Sequence, residues 1–338
     1  MRADCEFKKF LLVLCMVCGF SVLTACGGGG DDDGGGETKS LSYTGSTEKT
    51  VIDDQNAVDI SSTALNGGIQ GTVFNGIAGS MSYPADTEEA TRSNTFSTSL
   101  ILQDAISQLK DVASSSSDLD RAVVTRQETI DGECGGSASG TISVDNQTGS
   151  FSGTMVFAAY CDSDVLIDGS ATFSGTMDLD SEEFSSLTIE FDYLQASDAS
   201  GSYVFDGSIQ MSVQSSAIMI TISMYLEDGS NDYVFWLNNY QMSVEDYWTY
   251  FSMTISGDFY YPDYGYVSLS TEQTLIIDAS TGTPSSGVLI VTGENGSAGG
   301  PTEARLTCYS GGQFQVEADT DGDGVYDWTS DMLSWDSY

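Results

Sequence analysis

The 338-residue sequence contains no histidine. That absence removes Ser-His-Asp and Cys-His catalysis, imidazole acid–base chemistry and most zinc and haem sites. Basic residues are almost as scarce, ten Lys and Arg against fifty Asp and Glu, for a net charge of −40. Phosphate recognition rests on clustered Lys and Arg, so nucleic acid is excluded as a partner and anionic lipid headgroups repel the chain. The one common enzymatic mode left open is a carboxylate pair, as in glycoside hydrolysis. With so many acids no pair stands out, and no catalytic residue is assigned. High charge alone would suggest disorder, but 40% apolar and 11% aromatic residues are enough to build a core.

The front of the chain is of another kind. Arg2, Lys8 and Lys9 precede an apolar run from Phe10 to Ala25, which is short of the roughly 20 residues that a spanning helix needs. The pattern is that of a secretory signal peptide over residues 1–25. It ends in Leu23-Thr24-Ala25-Cys26, which resembles the lipobox of bacterial lipoproteins. The resemblance implies cleavage before Cys26, a diacylglyceryl thioether on its sulfur and acylation of the new amino group. Several acyl chains, at about 0.8 kcal/mol per buried methylene, hold far more firmly than one. The Gly- and Asp-rich residues that follow cannot offset their ordering entropy by burial, so residues 26–50 are expected to form a flexible tether. Gly27 stands where an aspartate would favour inner-membrane retention, which points to the outer membrane. Loss of residues 1–25 removes three basic and two acidic residues and brings the net charge near −41.

In such an oxidising compartment Cys134 and Cys161, which flank an expected hairpin, are expected to form a disulfide. Cys308, in the alternating run "ARLTCYS", is expected to be a small buried apolar residue.

Residues 51–338 are expected to form a single domain. Residues 51–90 show no sustained period. In "FSTSLILQDAISQLKDVA", Leu102, Ala105, Ile106, Leu109, Val112 and Ala113 share one helical face, so a helix is expected over about 96–113. From Arg121 to Asp319 the period is two: Leu187, Ile189, Phe191 and Tyr193; Ile209, Met211 and Val213; Ile218, Ile220, Ile222 and Met224; Phe314, Val316 and Ala318. Hairpin signals lie between these runs, in "DNQTG" from 145, "EDGSND" from 227, "DASTGT" from 278 and "YSGG" from 309. "FSGTM" occurs at Phe151 and again at Phe173. The expected fold is mainly β: a large antiparallel meander, as a curled sheet, incomplete barrel or sandwich, with the amphipathic helix packed on it. A transmembrane barrel is disfavoured, since Asp and Ser recur along the runs and no paired aromatic girdles are evident.

One stretch carries ion chemistry. In "DTDGDGVYDWTSD", Asp319, Asp321, Asp323 and Asp327 occupy positions 1, 3, 5 and 9 of a loop, with Gly324 at position 6 and the Val325 carbonyl at position 7. Hard oxygen donors at this spacing suit Ca²⁺. The stretch resembles the calcium loops of EF-hands, dockerins and thrombospondin type 3 repeats, and departs from them at position 12, where Ser330 replaces a bidentate acid. A structural Ca²⁺ held by Asp319, Asp321, Asp323, Val325 and Asp327 is expected. The aromatic belt from 231 to 266 reads as alternating cross-strand pairs, or as a surface on which sugars stack. Together these readings describe a calcium-stapled, non-enzymatic envelope lipoprotein with a binding or structural role, an unidentified envelope protein or glycan being the partner class expected if it binds. Carriage of an apolar ligand in an open barrel and carboxylate-dependent glycan hydrolysis are the rival readings.

Overall fold

Alternation with period two puts every second side chain on one face, and the chain resolves that pattern into one antiparallel sheet. A computed structural model describes residues 39–71 and 123–335, apart from positions 133, 163–164, 179–183, 199–200, 215–216, 230–231, 248 and 279–281. The expected signal peptide, Cys26, most of the expected tether and the helix expected over 96–113 lie outside the described residues.

The strands are β1 (Val123–Asp131), β2 (Gly135–Asp145), β3 (Ser150–Asp162), β4 (Val165–Met177), β5 (Phe184–Asp198), β6 (Gly201–Gln214) and β7 (Ala217–Asp228). They continue as β8 (Tyr233–Asp246), β9 (Tyr250–Tyr261), β10 (Gly265–Asp278), β11 (Pro284–Asn295), β12 (Pro301–Tyr309) and β13 (Gln313–Asp319). The short β14 (Trp328–Thr329) and β15 (Leu333–Ser334) both pair back onto β13. Spatial order follows chain order from β1 to β14, and the sheet does not close into a barrel.

The four hairpin signals fall at strand junctions. Gly149 and Gly282, both with φ of 70°, return their amides to the Asp145 and Asp278 carbonyls. In the β12–β13 turn Gly311 and Gly312 take positive φ, which glycine adopts without a Cβ clash. The disulfide Cys134–Cys161 joins β3 to the residue preceding β2, as expected. Cys308 is buried, and burial pushes its thiol up to about 12.

One face of the sheet is apolar and closed to solvent, with Ile220, Met242, Met253, Leu275, Leu289 and Leu306 fully or almost fully buried across β7 to β12. The other face carries Ser, Thr and acids. The alternation is not continuous. In β5 it runs Leu187, Ile189, Phe191 and then jumps to Leu194, because Tyr193 (φ 48°) forms a bulge opposite Gly169 (φ 117°). Asn239 (φ 49°) does the same in β8, opposite Gly257 (φ 120°). Such bulge and glycine pairs bend a sheet and raise its twist, which lets a sheet this wide curl.

The repeated "FSGTM" has a structural meaning. The two copies lie antiparallel on β3 and β4, so Phe151 faces Gly175 and Phe173 faces Gly153. A Cβ at Gly153 would lie 2.2 Å from the Phe173 ring. Each phenyl covers the glycine across from it.

A single helix among the described residues, α1 (Ala57–Gly71), occupies part of the stretch in which no period was legible. Asp53 and Asn56 cap it reciprocally, Asn56 N–H to the Asp53 carboxylate and Asp53 N–H to the Asn56 side-chain oxygen. Ala57, Ile60, Ala64 and Leu65 are buried, but so are Ser61 and Ser62. Serines on the buried face hide the helical period. The helix packs on the apolar face, where the buried Tyr240 hydroxyl donates to the Ala64 carbonyl at 2.8 Å.

Residues 40–50, the last part of the stretch expected to be a tether, are bonded to the sheet. From Ser40 the chain belongs to the folded unit. Leu41 N–H donates to the Asp206 carboxylate at 2.6 Å, and the Tyr43 hydroxyl donates to the Tyr261 carbonyl at 2.9 Å.

Candidate functional site

The β13–β14 connection holds the expected ion loop. A hairpin bond closes it, Asp327 N–H to the Ala318 carbonyl at 3.0 Å, and β14 pairs Trp328 with Ala318 and Thr329 with Glu317. Strands therefore flank the loop, so the resemblance to EF-hands ends at the loop itself.

Inside the loop, backbone amides converge on carboxylates. The buried Asp319 accepts from Gly322 N–H and Gly324 N–H, both at 2.8 Å, and from Asp323 N–H at 3.3 Å. Asp321 accepts from Asp323 N–H at 3.1 Å, and Asp323 from Val325 N–H at 2.8 Å. Gly322 and Gly324 make these turns possible with φ of 77° and 87°. One carboxylate oxygen from each of Asp319, Asp321 and Asp323 lies within 4.8 Å of the others. Like charges this close repel, and a divalent cation between them turns the repulsion into coordination.

Asp327 is placed differently. It accepts from the Thr320 amide and hydroxyl at 2.9–3.1 Å, and the amide first, then the hydroxyl, hold its carboxyl below the usual carboxylate range. It stands outside the three-carboxylate group. Position 12 explains its own departure: the Ser330 hydroxyl accepts from Val316 N–H at 3.1 Å, and its backbone pairs with β13. That side chain belongs to the sheet and not to the loop.

The loop is pinned from two sides. Ala298 N–H and Gly300 N–H, in the β11–β12 turn, donate to the Asp321 and Gly322 carbonyls at 2.8 and 3.1 Å. The approach is backbone on backbone, and a Cβ at Gly296 would meet the Asp321 carbonyl oxygen at 2.2 Å. On the other side the Tyr326 hydroxyl donates to Glu303, and its ring lies 5.9 Å from the Arg305 guanidinium. Arg305 also pairs with Glu272 at 3.3 Å.

The aromatic belt divides between the two faces. On the polar face Tyr225, Trp236, Tyr260 and Tyr266 form a ladder across β7 to β10, with ring centroids 5.6, 4.1 and 4.9 Å apart. On the apolar face Phe235 stacks on Phe259 at 5.9 Å. The rings are thus cross-strand partners, as one of the two readings has it. Sequence reasoning missed Tyr43, whose ring lies 5.5 Å from Tyr260 and 6.2 Å from Trp236. No local signal marks a tyrosine placed by contacts about two hundred residues away.

A groove of about 400 Å³ lies on the polar face of β2 to β5, lined by Thr141, Ser143, Ser152, Thr154, Thr172 and Glu190 among others. Among the described residues Asp319 is the one buried acid.

No protein-family model, curated protein or solved structure matches this chain.

Proposed function

We propose that the protein is an envelope lipoprotein, held to the outer membrane by fatty acid on Cys26, whose folded part is stapled by Ca²⁺ and serves a non-enzymatic binding role. Asp319, Asp321 and Asp323 hold the ion; the loop resemblance adds the Val325 carbonyl and Asp327, and Asp327 must leave its Thr320 bonds to join the set. The observation that carries the calcium reading is the gathering of three carboxylates within 4.8 Å on a loop whose amides already orient each of them. The role of the ion is structural, because the loop fastens the β11–β12 turn to the C-terminal strands. The partner class that the polar face suits best is a neutral envelope glycan, since a groove lined by Ser and Thr hydroxyls, Glu190 and the Phe173–Gly153 pair offers hydrogen bonds and no cationic site.

Calcium titration of the folded protein by calorimetry tests the ion. One site is expected, with Kd in the range of about 10⁻⁴–10⁻³ M usual for extracellular modules. The pair D321N/D323N is expected to lose it while keeping the β-sheet circular dichroism of the parent. Absence of any calcium-dependent heat or melting shift at about ten times that range removes the ion from the account. Incorporation of labelled palmitate into the wild type and not into Cys26→Ser tests the anchor. Recovery of unlabelled protein in the aqueous phase of a detergent partition overturns it.

A further inference from the structure

The chain enters the folded unit on one face of the sheet and reaches the core on the other. Tyr43 lies on the polar face against Trp236 and Tyr260, whereas Ile52 is fully buried in the apolar core. The crossing runs through the sheet. β10 and β11 pair from Ser268↔Thr292 toward their other ends, and toward Tyr266 and Glu294 that pairing stops. The segment Glu48–Thr50 fills the gap. Tyr266 N–H donates to the Glu48 carbonyl at 3.1 Å, and Thr50 N–H to the Tyr266 carbonyl at 2.9 Å, in a parallel bridge centred on Lys49. On the other side Glu294 N–H donates to the Thr50 carbonyl at 2.6 Å.

Two glycines make room for it. A Cβ at Gly265 would meet the Glu48 carbonyl oxygen at 2.4 Å, and one at Gly293 the Thr50 carbonyl oxygen at 2.5 Å. Beyond the gap the Thr302 hydroxyl accepts from Ile52 N–H and donates to the Glu294 carbonyl, both at 2.9 Å.

We propose that residues 40–50 form an exchangeable strap: its insertion between β10 and β11 competes with direct pairing of those strands, and its release uncovers the aromatic seat that Tyr43 occupies on Trp236 and Tyr260. The competition follows from register. Continuing the observed ladder beyond Ser268↔Thr292 sets Val267 opposite Gly293 and Tyr266 opposite Glu294. The backbone groups of Tyr266 and Glu294 that now bond to Glu48 and Thr50 then bond to each other. Because those two residues have a second partner waiting, release leaves few backbone groups unpaired, and unpaired groups are the principal cost of opening a sheet. Apart from the buried Thr50, the positions of the strap are partly or fully exposed, which places it among the segments that open first. The exchange holds whether or not Cys26 is acylated.

Gly293→Val tests the exchange on the full-length protein. Valine there meets the Thr50 carbonyl oxygen and also crowds the Thr302 hydroxyl and Ile52, so it disfavours the inserted strap at some cost to its surroundings, and the second variant separates the two effects. Tyr43→Ala weakens the strap without placing any bulk in the gap. Amide exchange read by mass spectrometry and tryptic cleavage after Lys49 are the readouts. In both variants cleavage between Lys49 and Thr50 is expected to rise at least about tenfold and protection of residues 41–50 to fall, while Tyr266 and Glu294 amides stay protected. Two outcomes overturn the proposal. One is loss of Tyr266 and Glu294 protection together with the strap, which means that no alternative pairing forms. The other is an unchanged cleavage rate in both variants, which means that the strap is not displaced.

Discussion

Asp319 is the residue on which the ion loop turns. Its carboxylate is buried and accepts three amides, from Gly322, Asp323 and Gly324. Asp319→Ala leaves those donors without their acceptor, so it is expected to cost about 1–3 kcal/mol even without calcium, measured by denaturant unfolding in chelator. Asp321→Asn keeps most of the geometry and is expected to weaken calcium while moving chelated stability little. Gly153 makes the complementary point about space. A side chain there meets the Phe173 ring at 2.2 Å and the Thr141 carbonyl oxygen at 2.3 Å, so Gly153→Val is expected to destabilise by about 1–3 kcal/mol or more. The Cys308 thiol, pushed up to about 12 by burial, is expected to resist a disulfide reagent in the native protein at pH 8 and to react once the chain unfolds. Its alternating context already pointed to a buried residue. The Phe–Gly reciprocity was invisible in the sequence, because a repeat 22 residues apart does not say whether its copies face one another.

Among the elements, the β2–β3 hairpin and the strap respond to different solution conditions. The Cys134–Cys161 bridge closes a loop of 27 residues' separation. Its reduction is expected to cost about 3–4 kcal/mol in the chain-entropy picture, seen as a lower melting temperature in reductant. The strap responds to alkali. Tyr43, whose hydroxyl donates to the Tyr261 backbone carbonyl, and Tyr261 are each pushed up to about 12, by burial first and by neighbouring tyrosines and acids next. A folded pKa above the unfolded value of about 10 means that the fold favours the neutral phenol. The stability from these groups is fully present below pH 10 and is lost as pH rises through 12. Protection of residues 41–50 is therefore expected to fall in that window, ahead of β3–β5, in an exchange series corrected for intrinsic rates. Hairpin turns were legible because their glycines and aspartates act locally. Helix α1 was not, since Ser61 and Ser62 occupy buried positions where the pattern asks for apolar residues.

Across the whole molecule, fifty acids and ten bases make self-repulsion a general force against compaction. Salt is expected to raise the melting temperature, and calcium to raise it more than magnesium at equal ionic strength, the difference vanishing in D321N/D323N. A similar rise with both ions and in both proteins would assign the effect to screening alone. The sheet itself tolerates the charge because its acids sit on the polar face and in the turns, apart from Asp319.

The sequence by itself determined the class of fold, the antiparallel neighbours and the position of the turns. It also determined the disulfide and the spacing of the ion loop. All of these follow from side-chain alternation, from backbone freedom at glycine or from residues a few positions apart. Tertiary structure alone decided where the sheet bends, that Asp327 turns to Thr320 while Asp319, Asp321 and Asp323 converge, and that Ser40–Thr50 is folded chain. The bends depend on bulges that shift register, and the folding of Ser40–Thr50 on partners distant in sequence; in the loop the residues are near neighbours, but spacing alone does not say which carboxylate turns to an amide or hydroxyl and which to its fellow acids. A one-residue slip carries every later side chain to the opposite face.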